Sequence, residues 1–182
     1  MIRIIDFLAA FLGLFFLWPL LLVVIIIGFF DIGSPIFIQE RVGRNKKPFK
    51  LIKFRTMPVE TKSMASHLVN NASVTKFGMF LRKSKIDELP QLINVLKGEM
   101  SLVGPRPNLF NQDELIRERD ALGVYKVLPG ITGKAQVQNV DMSTPKLLAL
   151  LDKQMIDSLT VQDYFKYVIM TVAGSGNGDT LK

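Results

Sequence analysis

Two adjacent acids, Asp87 and Glu88, stand among bases. Arg82, Lys83 and Lys85 precede them, and Leu89-Pro90-Gln91-Leu92-Ile93-Asn94-Val95-Leu96-Lys97-Gly98 follows. Leu89, Leu92, Ile93 and Leu96 recur at i, i+3, i+4 and i+7, which predicts a helix with one apolar face. Gly98 is placed to end it. Pro90 belongs in the first turn, because deeper in the helix its ring would clash with the preceding turn. Asp87 and Glu88 then lie at the helix start, where unpaired N–H groups and the helix dipole favour anions. Carboxylates so placed among cations stay ionised at neutral pH. Such a carboxylate can attack phosphorus or hold a divalent cation. The same pair also reads as an N-cap with solvated charges.

Further groups along the chain suit anions. Arg106 is fixed between Pro105 and Pro107, so it loses little entropy on meeting a ligand, and its planar fork matches phosphate. Residues 49–57 are rich in strand formers and carry Lys53 and Arg55. Pro129-Gly130-Ile131-Thr132-Gly133 reads as a glycine-punctuated turn, a shape that lets backbone N–H groups approach phosphate. His67 is the only histidine and cysteine is absent, so no metal site is expected at His67 and no disulfide framework exists. No Walker-A loop, G-x-G-x-x-G or internal repeat is present.

The elements that must carry these groups begin with an apolar run. Of 182 residues 48% are hydrophobic, and no charge occurs from Phe7 to Phe30. Two dozen residues at ~1.5 Å each give roughly 36 Å, enough to cross a bilayer core. Trp18-Pro19 lies near the middle, so two arms of about 17 Å each match one leaflet apiece. A spanning helix and a re-entrant hairpin both fit this pattern. Positive charge on both sides, Arg3 upstream and Arg41, Arg44, Lys46 and Lys47 downstream, favours both ends remaining cytoplasmic. The net charge is +7. Arg3 and Asp6 cancel within the first thirty residues, so the remainder carries all of it and suits anionic partners.

Downstream, Ser34-Pro35 ends the apolar helix. Residues 36–39 read as extended, 42–48 as a basic turn with Gly43 and Asn45, and 61–74 as a polar loop. Phe77, Phe80 and Leu81 share one helical face after Thr75. Residues 100–103 form a short strand feeding Gly104. A helix over 111–122 has Asn111 and Glu114 at capping-box spacing, its charges, Arg119 among them, forming a solvated face. Thr144-Pro145 starts another helix, which carries Asp152. Thr160 and Asp163 cap a last one, rich in aromatics, of the kind that rests at a membrane interface.

Taken in order, Lys-Phe-Arg-Thr from Lys53, Asp-Glu-Leu-Pro-Gln from Asp87, Leu-Lys-Gly-Glu-Met-Ser-Leu-Val-Gly-Pro-Arg-Pro to Pro107 and Pro-Gly-Ile-Thr-Gly from Pro129 resemble the bacterial sugar transferases. These are the monotopic phosphoglycosyl transferases that act on polyprenol phosphate. The resemblance runs to about Tyr167. It implies an α+β, mostly helical fold in three parts. Residues 1–33 form a membrane-dipping re-entrant helix broken at proline. Residues 34–173 form a cytoplasmic catalytic domain with short strands and interfacial amphipathic helices, and 174–182 a flexible tail. The activity implied is transfer of a sugar 1-phosphate from a UDP-sugar to undecaprenyl phosphate, with release of UMP, at the bacterial inner membrane. That would be the first membrane step of surface glycan synthesis.

The resemblance further implies Asp87 as nucleophile and Glu88 as ligand to Mg²⁺. Lys53, Arg55, Arg82 and Arg106 become substrate-binding cations, with Gln136 and Asp152 shaping the site. Membrane lipid is an expected partner and nucleic acid is not. The chain departs from the family pattern at Trp18, where serine is usual, at Lys134, where leucine is common, and at Val140, near which relatives often carry arginine. Two other classes use the same surface: a membrane-anchored basic module binding anionic lipid or nucleic acid, and a hydrolase of prenyl phosphates. Neither requires a UDP-sugar.

Overall fold

The computed structural model describes residues 2–59 and 74–176. The polar stretch 61–73 with His67, and the tail beyond 176, lie outside the described residues. Helix α1 spans Ile2–Ile32. Strands β1 (Ile36–Val42) and β2 (Pro48–Phe54) form an antiparallel hairpin that pairs Phe37 with Lys53 and Arg41 with Phe49. Helices α2 (Lys76–Lys83) and α3 (Gln91–Lys97) follow, then β3 (Ser101–Val103) and α4 (Asp113–Ala121). Strand β4 (Gly130–Thr132) pairs parallel to β3 and leads into the short α5 (Lys134–Val137). Helices α6 (Pro145–Ser158) and α7 (Val161–Val172) complete the α+β, mostly helical fold.

The body is built along α1. Ile2 and Ile5 pack with Val103, Met155 and Tyr164. Ala10 and Leu14 meet Phe49, Leu51, Leu92 and Val95. Leu21, Val24 and Ile25 meet Phe54 and Leu81. These positions fall close to one face at helical spacing, so one stripe of α1 completes three separate apolar clusters. The opposite stripe, including Phe11, Phe16, Trp18, Val23 and Phe30, is exposed, Phe30 to 89%. Length and composition make α1 sufficient to cross a membrane. Pro19 lies inside this single helix, where the sequence suggests a break. A proline removes only one backbone donor, and packing on both sides of Pro19 holds the two halves to the same body.

Asp6 fastens the start of α1. It is buried and accepts hydrogen bonds from Ser101 Oγ (3.0 Å), Leu102 N (2.9 Å) and Tyr164 Oη (2.5 Å). A carboxylate so enclosed raises the Tyr164 phenol pKa, although burial of the ring is the larger cause. Arg3 beside it donates to the carbonyls of Met100 (3.0 Å) and Val95 (2.5 Å). The first turn of α1 is thereby tied to β3.

Several local readings of the sequence are corrected. Residues 130–132 form strand β4, not a turn. Glycines 104 and 130 explain why the two strands can lie so close. A Cβ on Gly104 would stand 2.6 Å from Leu128 O, and one on Gly130 would overlap Gly104 N. On α3, Ile93 is exposed while Asn94 is buried. Asn94 accepts from Ile52 N (3.1 Å) and donates to Lys50 O (2.8 Å), bonds to β2 that no apolar residue can make. Helix α4 starts at Gln112 without a side-chain cap, so Asn111 and Glu114 form no capping box. In α2, Leu81 is core and Phe80 is exposed. Thr160 and Asp163 do form the reciprocal cap of α7.

Gly104→Ala is expected to destabilise the protein by more than about 3 kcal/mol, beyond ordinary overpacking, because backbone rather than a side chain stands in the way. Gly13→Ala, whose Cβ would meet only the end of Leu92 at 3.0 Å, is expected to cost less than about 1 kcal/mol. Thermal unfolding of the two variants in one detergent checks the contrast.

Candidate active site

The acidic pair sits on a tight turn. The Ser84 hydroxyl donates to Phe80 O (2.8 Å), closing α2. Lys85 then takes a left-handed conformation (φ 58°) and reverses the chain. That conformation is costly for a side chain with a Cβ, and such positions concentrate at functional sites. One 3-10 turn, Ile86–Glu88, follows, and Pro90 starts α3. Asp87 and Glu88 therefore precede α3 on a turn of their own. They are 2% and 6% exposed. Arg82 is buried and donates from Nε to Thr56 Oγ1 (2.9 Å). The Lys85 ammonium donates to Ser175 O (2.5 Å) at the end of α7. Burial lowers its pKa, Glu88 opposes that, and Arg106 adds to it.

Arg106 comes from the loop after β3. Its Nη2 meets Glu88 Oε1 at 2.6 Å, so the Asp-Glu turn and the Gly-Pro-Arg-Pro loop converge. Next to this pair a shallow cleft is lined by Arg41, Lys53, Gln91, Arg106, Leu51 and Pro107. Arg41 is 6% exposed. Its Nε and Nη2 donate to Gln39 Oε1 (3.0 and 2.6 Å), and its Nη1 donates to Pro107 O (3.1 Å).

The remaining expected groups stand elsewhere. Arg55 donates to Ser34 O (3.0 Å) and lies over the Phe37 ring at 5.2 Å, which places it beside the end of α1 and outside the cleft lining. Gln136 donates from Nε2 to Ile131 O (2.9 Å), bracing β4. Its Oε1 is buried without a hydrogen-bond partner among the described residues. Asp152 is buried against Arg119, with Oδ2 2.6 Å from Nη2 and 3.0 Å from Nε. Arg119 Nη1 in turn donates to Arg106 O (2.8 Å) and Asn108 Oδ1 (2.9 Å), and Tyr125 Oη donates to the same Asn108 oxygen (3.0 Å). Asp152 thus acts behind the Arg106 loop, through Arg119. Burial raises the Asp152 pKa, and the Arg119 guanidinium pulls against that.

Reading the sequence missed three of these groups. Arg119 is 1% exposed, where its helix suggests a solvated face. Gln91 is buried and lines the cleft. Arg41 had a usable signal, since strand alternation puts it on the same face as Gln39 and, across the hairpin, Leu51 and Lys53.

Oxygen donors at the acidic turn suit a hard divalent cation. No cluster of three or more acidic or histidine ligands occurs among the described residues. Magnesium nevertheless needs only one or two protein carboxylates when phosphate oxygens complete its shell. Asp87 and Glu88 offer oxygen donors alone, and Glu88 Oε1 is the oxygen that Arg106 takes. The pair fits a hard cation held jointly with a phosphorylated ligand.

Removing one partner of the buried Arg119–Asp152 pair leaves the other uncompensated, which costs about 3–5 kcal/mol. Asp152→Leu and Arg119→Met are each expected to lose that much. The double variant should lose less than the sum, read by thermal unfolding of all four proteins.

Comparison with known proteins gives the site its context. The chain is 43% identical over 142 residues to an uncharacterized sugar transferase, EpsL, of Bacillus subtilis, covering 78% of this chain and 70% of that protein. It is 40% identical over 149 residues to the Escherichia coli UDP-glucose:undecaprenyl-phosphate glucose-1-phosphate transferase, covering 77% of this chain and 32% of that one. It is 43% identical over 108 residues to a putative undecaprenyl-phosphate N-acetylgalactosaminyl 1-phosphate transferase of B. subtilis, covering 58% and 60%. The profile of one family, the bacterial sugar transferases, matches residues 1–176. With that match running from α1 through the acidic turn and the Arg106 loop to the end of α7, the chain belongs to the bacterial sugar transferase family.

Proposed function

We infer that this protein is a membrane-bound phosphoglycosyl transferase. It moves a sugar 1-phosphate from a UDP-sugar to undecaprenyl phosphate and releases UMP, as the first membrane step of a surface glycan. The observation that carries the reading is the buried Asp87–Glu88 pair, bridged to Arg106 at 2.6 Å beside a cation-lined cleft. Relatives named for undecaprenyl-phosphate sugar transfer supply the substrate class.

In this reading a carboxylate oxygen of Asp87 attacks the sugar-bearing phosphorus. The bond from that phosphorus to the UMP oxygen breaks, and its electron pair leaves with UMP. Asp87 then carries the sugar phosphate as a mixed anhydride. A phosphate oxygen of undecaprenyl phosphate attacks the same phosphorus, and the bond to Asp87 breaks, restoring the carboxylate. Arg106 and Lys53 offset the repulsion between a carboxylate and a diphosphate. Glu88, with phosphate oxygens, would hold Mg²⁺, which supplies charge neutralisation when bound.

The attachment of α1 supports one-sided membrane binding. Its first turn is bonded to Ser101 and Tyr164 through Asp6, and its last turns are bonded through Asp31 to Thr75 (2.6 Å). A helix of 31 residues is about 46 Å long, so spanning the bilayer would carry one of these ends away from the body it is bonded to. On this reading both ends face the cytoplasm, with the exposed apolar stripe in lipid and the site at the inner membrane surface.

Two measurements test this. Labelled UDP-sugar with Mg²⁺ and no lipid acceptor should release about one UMP per active site and leave a sugar-phosphate adduct on the Asp87 peptide. Both should vanish in Asp87→Asn. Full turnover on adding lipid, with no adduct beforehand, would overturn the covalent step, and lipid-independent continuous turnover would indicate a hydrolase. Separately, Ile2→Cys, in a chain that has no other cysteine, should react with an impermeant thiol reagent only in opened membranes. Labelling from outside intact cells would mean a spanning helix.

A further inference from the structure

Lys85 stands at a position that glycine would fill at lower cost. It takes a left-handed conformation, φ 58°, between α2 and the acidic turn. What a lysine adds there is reach. Its ammonium donates to Ser175 O (2.5 Å) and Thr171 O (3.4 Å), 90 and 86 positions along the chain. These oxygens lie at the C-terminal end of α7, where unpaired carbonyls and the negative end of the helix dipole favour a cation. That end has a shape of its own. Ser175 N donates to Met170 O (2.8 Å) and Gly174 N donates to Thr171 O (3.1 Å), with Gly174 at φ 90°. This paired closure of a helix on a left-handed glycine sets the place of Ser175 O without help from Lys85.

The end of α7 also holds the opposite side of the site. The hydroxyls of Thr171 and Thr132 meet, and Thr132 O accepts from Gly104 N (2.8 Å), where the Arg106 loop begins. The acidic turn is therefore tied to that loop by two routes. One is the direct pair of Glu88 with Arg106. The other runs from Lys85 through the end of α7 and Thr132 to Gly104. The routes differ in what the reaction asks of them. Glu88 and Arg106 are themselves the groups that engage metal and phosphate, and groups shared with a ligand hold each other less. The Lys85 route uses only backbone oxygens and hydroxyls remote from the reacting atoms. We propose that Lys85 is a positioning residue for the transfer, holding the acidic turn in register while Glu88 and Arg106 are engaged by the ligand. This deepens the transferase reading and rests on it for what those two residues engage.

Hydrogen exchange of the intact, detergent-solubilised protein without ligand reads the tie itself. Lys85→Met should speed exchange in residues 84–90 and in the last turn of α7, and Lys85→Arg, which keeps a cation, should retain most of the protection. Gly174→Ala breaks the same contact from the other side. Its Cβ would meet nothing within 4 Å, so it acts only by straining the backbone that presents Ser175 O. It too should speed exchange in residues 84–90. In folded Lys85→Met the rate of UMP release at saturating UDP-sugar should fall roughly 10–100-fold, the scale of a small misplacement of a reacting group. KM for UDP-sugar should stay within about twofold, because Lys85 binds no substrate. Should Lys85→Met fail to fold, Gly174→Ala carries the same criteria. Exchange equal to the parent's overturns the proposal. So does faster exchange with an unchanged rate, or a raised KM at unchanged kcat, which would make Lys85 a substrate contact. Exchange that responds as expected, in a parent that releases no UMP from UDP-sugars, would keep the tie and overturn the transferase reading instead.

Discussion

Two neighbouring carboxylates withdrawn from water set the terms for the rest of this structure. Asp87 and Glu88 are nearly inaccessible, and burial of charge is tolerated only where partners compensate it. Arg106 meets Glu88 directly. Its reach depends on the loop after β3, and that loop depends on a backbone crossing at Gly104 and Gly130 that admits no Cβ. The loop is held from behind by Arg119, which is itself paired with Asp152. A line of charge compensation therefore runs from the acidic turn through the loop into the α4–α6 interface. Each member is positioned by the next, which is why a residue as remote as Asp152 belongs to the site without touching it.

Apolar packing performs the complementary task. The hairpin, α2, α3 and β3 each contribute to a cluster that includes part of α1. Among the described residues, only the cluster of Leu115, Ala135 and Leu148 is built without it. Because the same helix touches the hairpin, the acidic-turn region and β3, it fixes the three segments that carry charge relative to one another. The exposed stripe of α1 is thus the outer side of a structural strut. The exposed apolar stripe and the geometry of the site are properties of one element.

Much of this was legible in the chain. Strand formers at 49–54, Thr144-Pro145, the Thr160–Asp163 cap and Gly98 at the end of α3 are local signals, and local energetics decide them. The convergence of Asp87, Glu88 and Arg106 was expected from residue chemistry and from family resemblance, not from periodicity. What escaped reading depends on contacts far apart in the chain. Arg119 looks like one charge among several on α4, and only the approach of Asp152, 33 positions later, makes its burial tolerable. Asn94 replaces Ile93 on the buried face because β2 leaves backbone groups needing a polar partner. Pro129–Gly133 has turn composition, yet it pairs as a strand because its glycines permit an approach that other residues forbid.

The attachment of Asp6 to Ser101 and Tyr164 spans 95 and 158 positions of chain. Contacts of such separation form late, because long loops must close first. Helix α1 precedes what it packs against, so the Ile2 and Ile5 end of its inner stripe has no protein partner until β3, α6 and α7 exist. Lipid can shelter that stripe in the interval. Completion of the body is what finally buries that end of the helix.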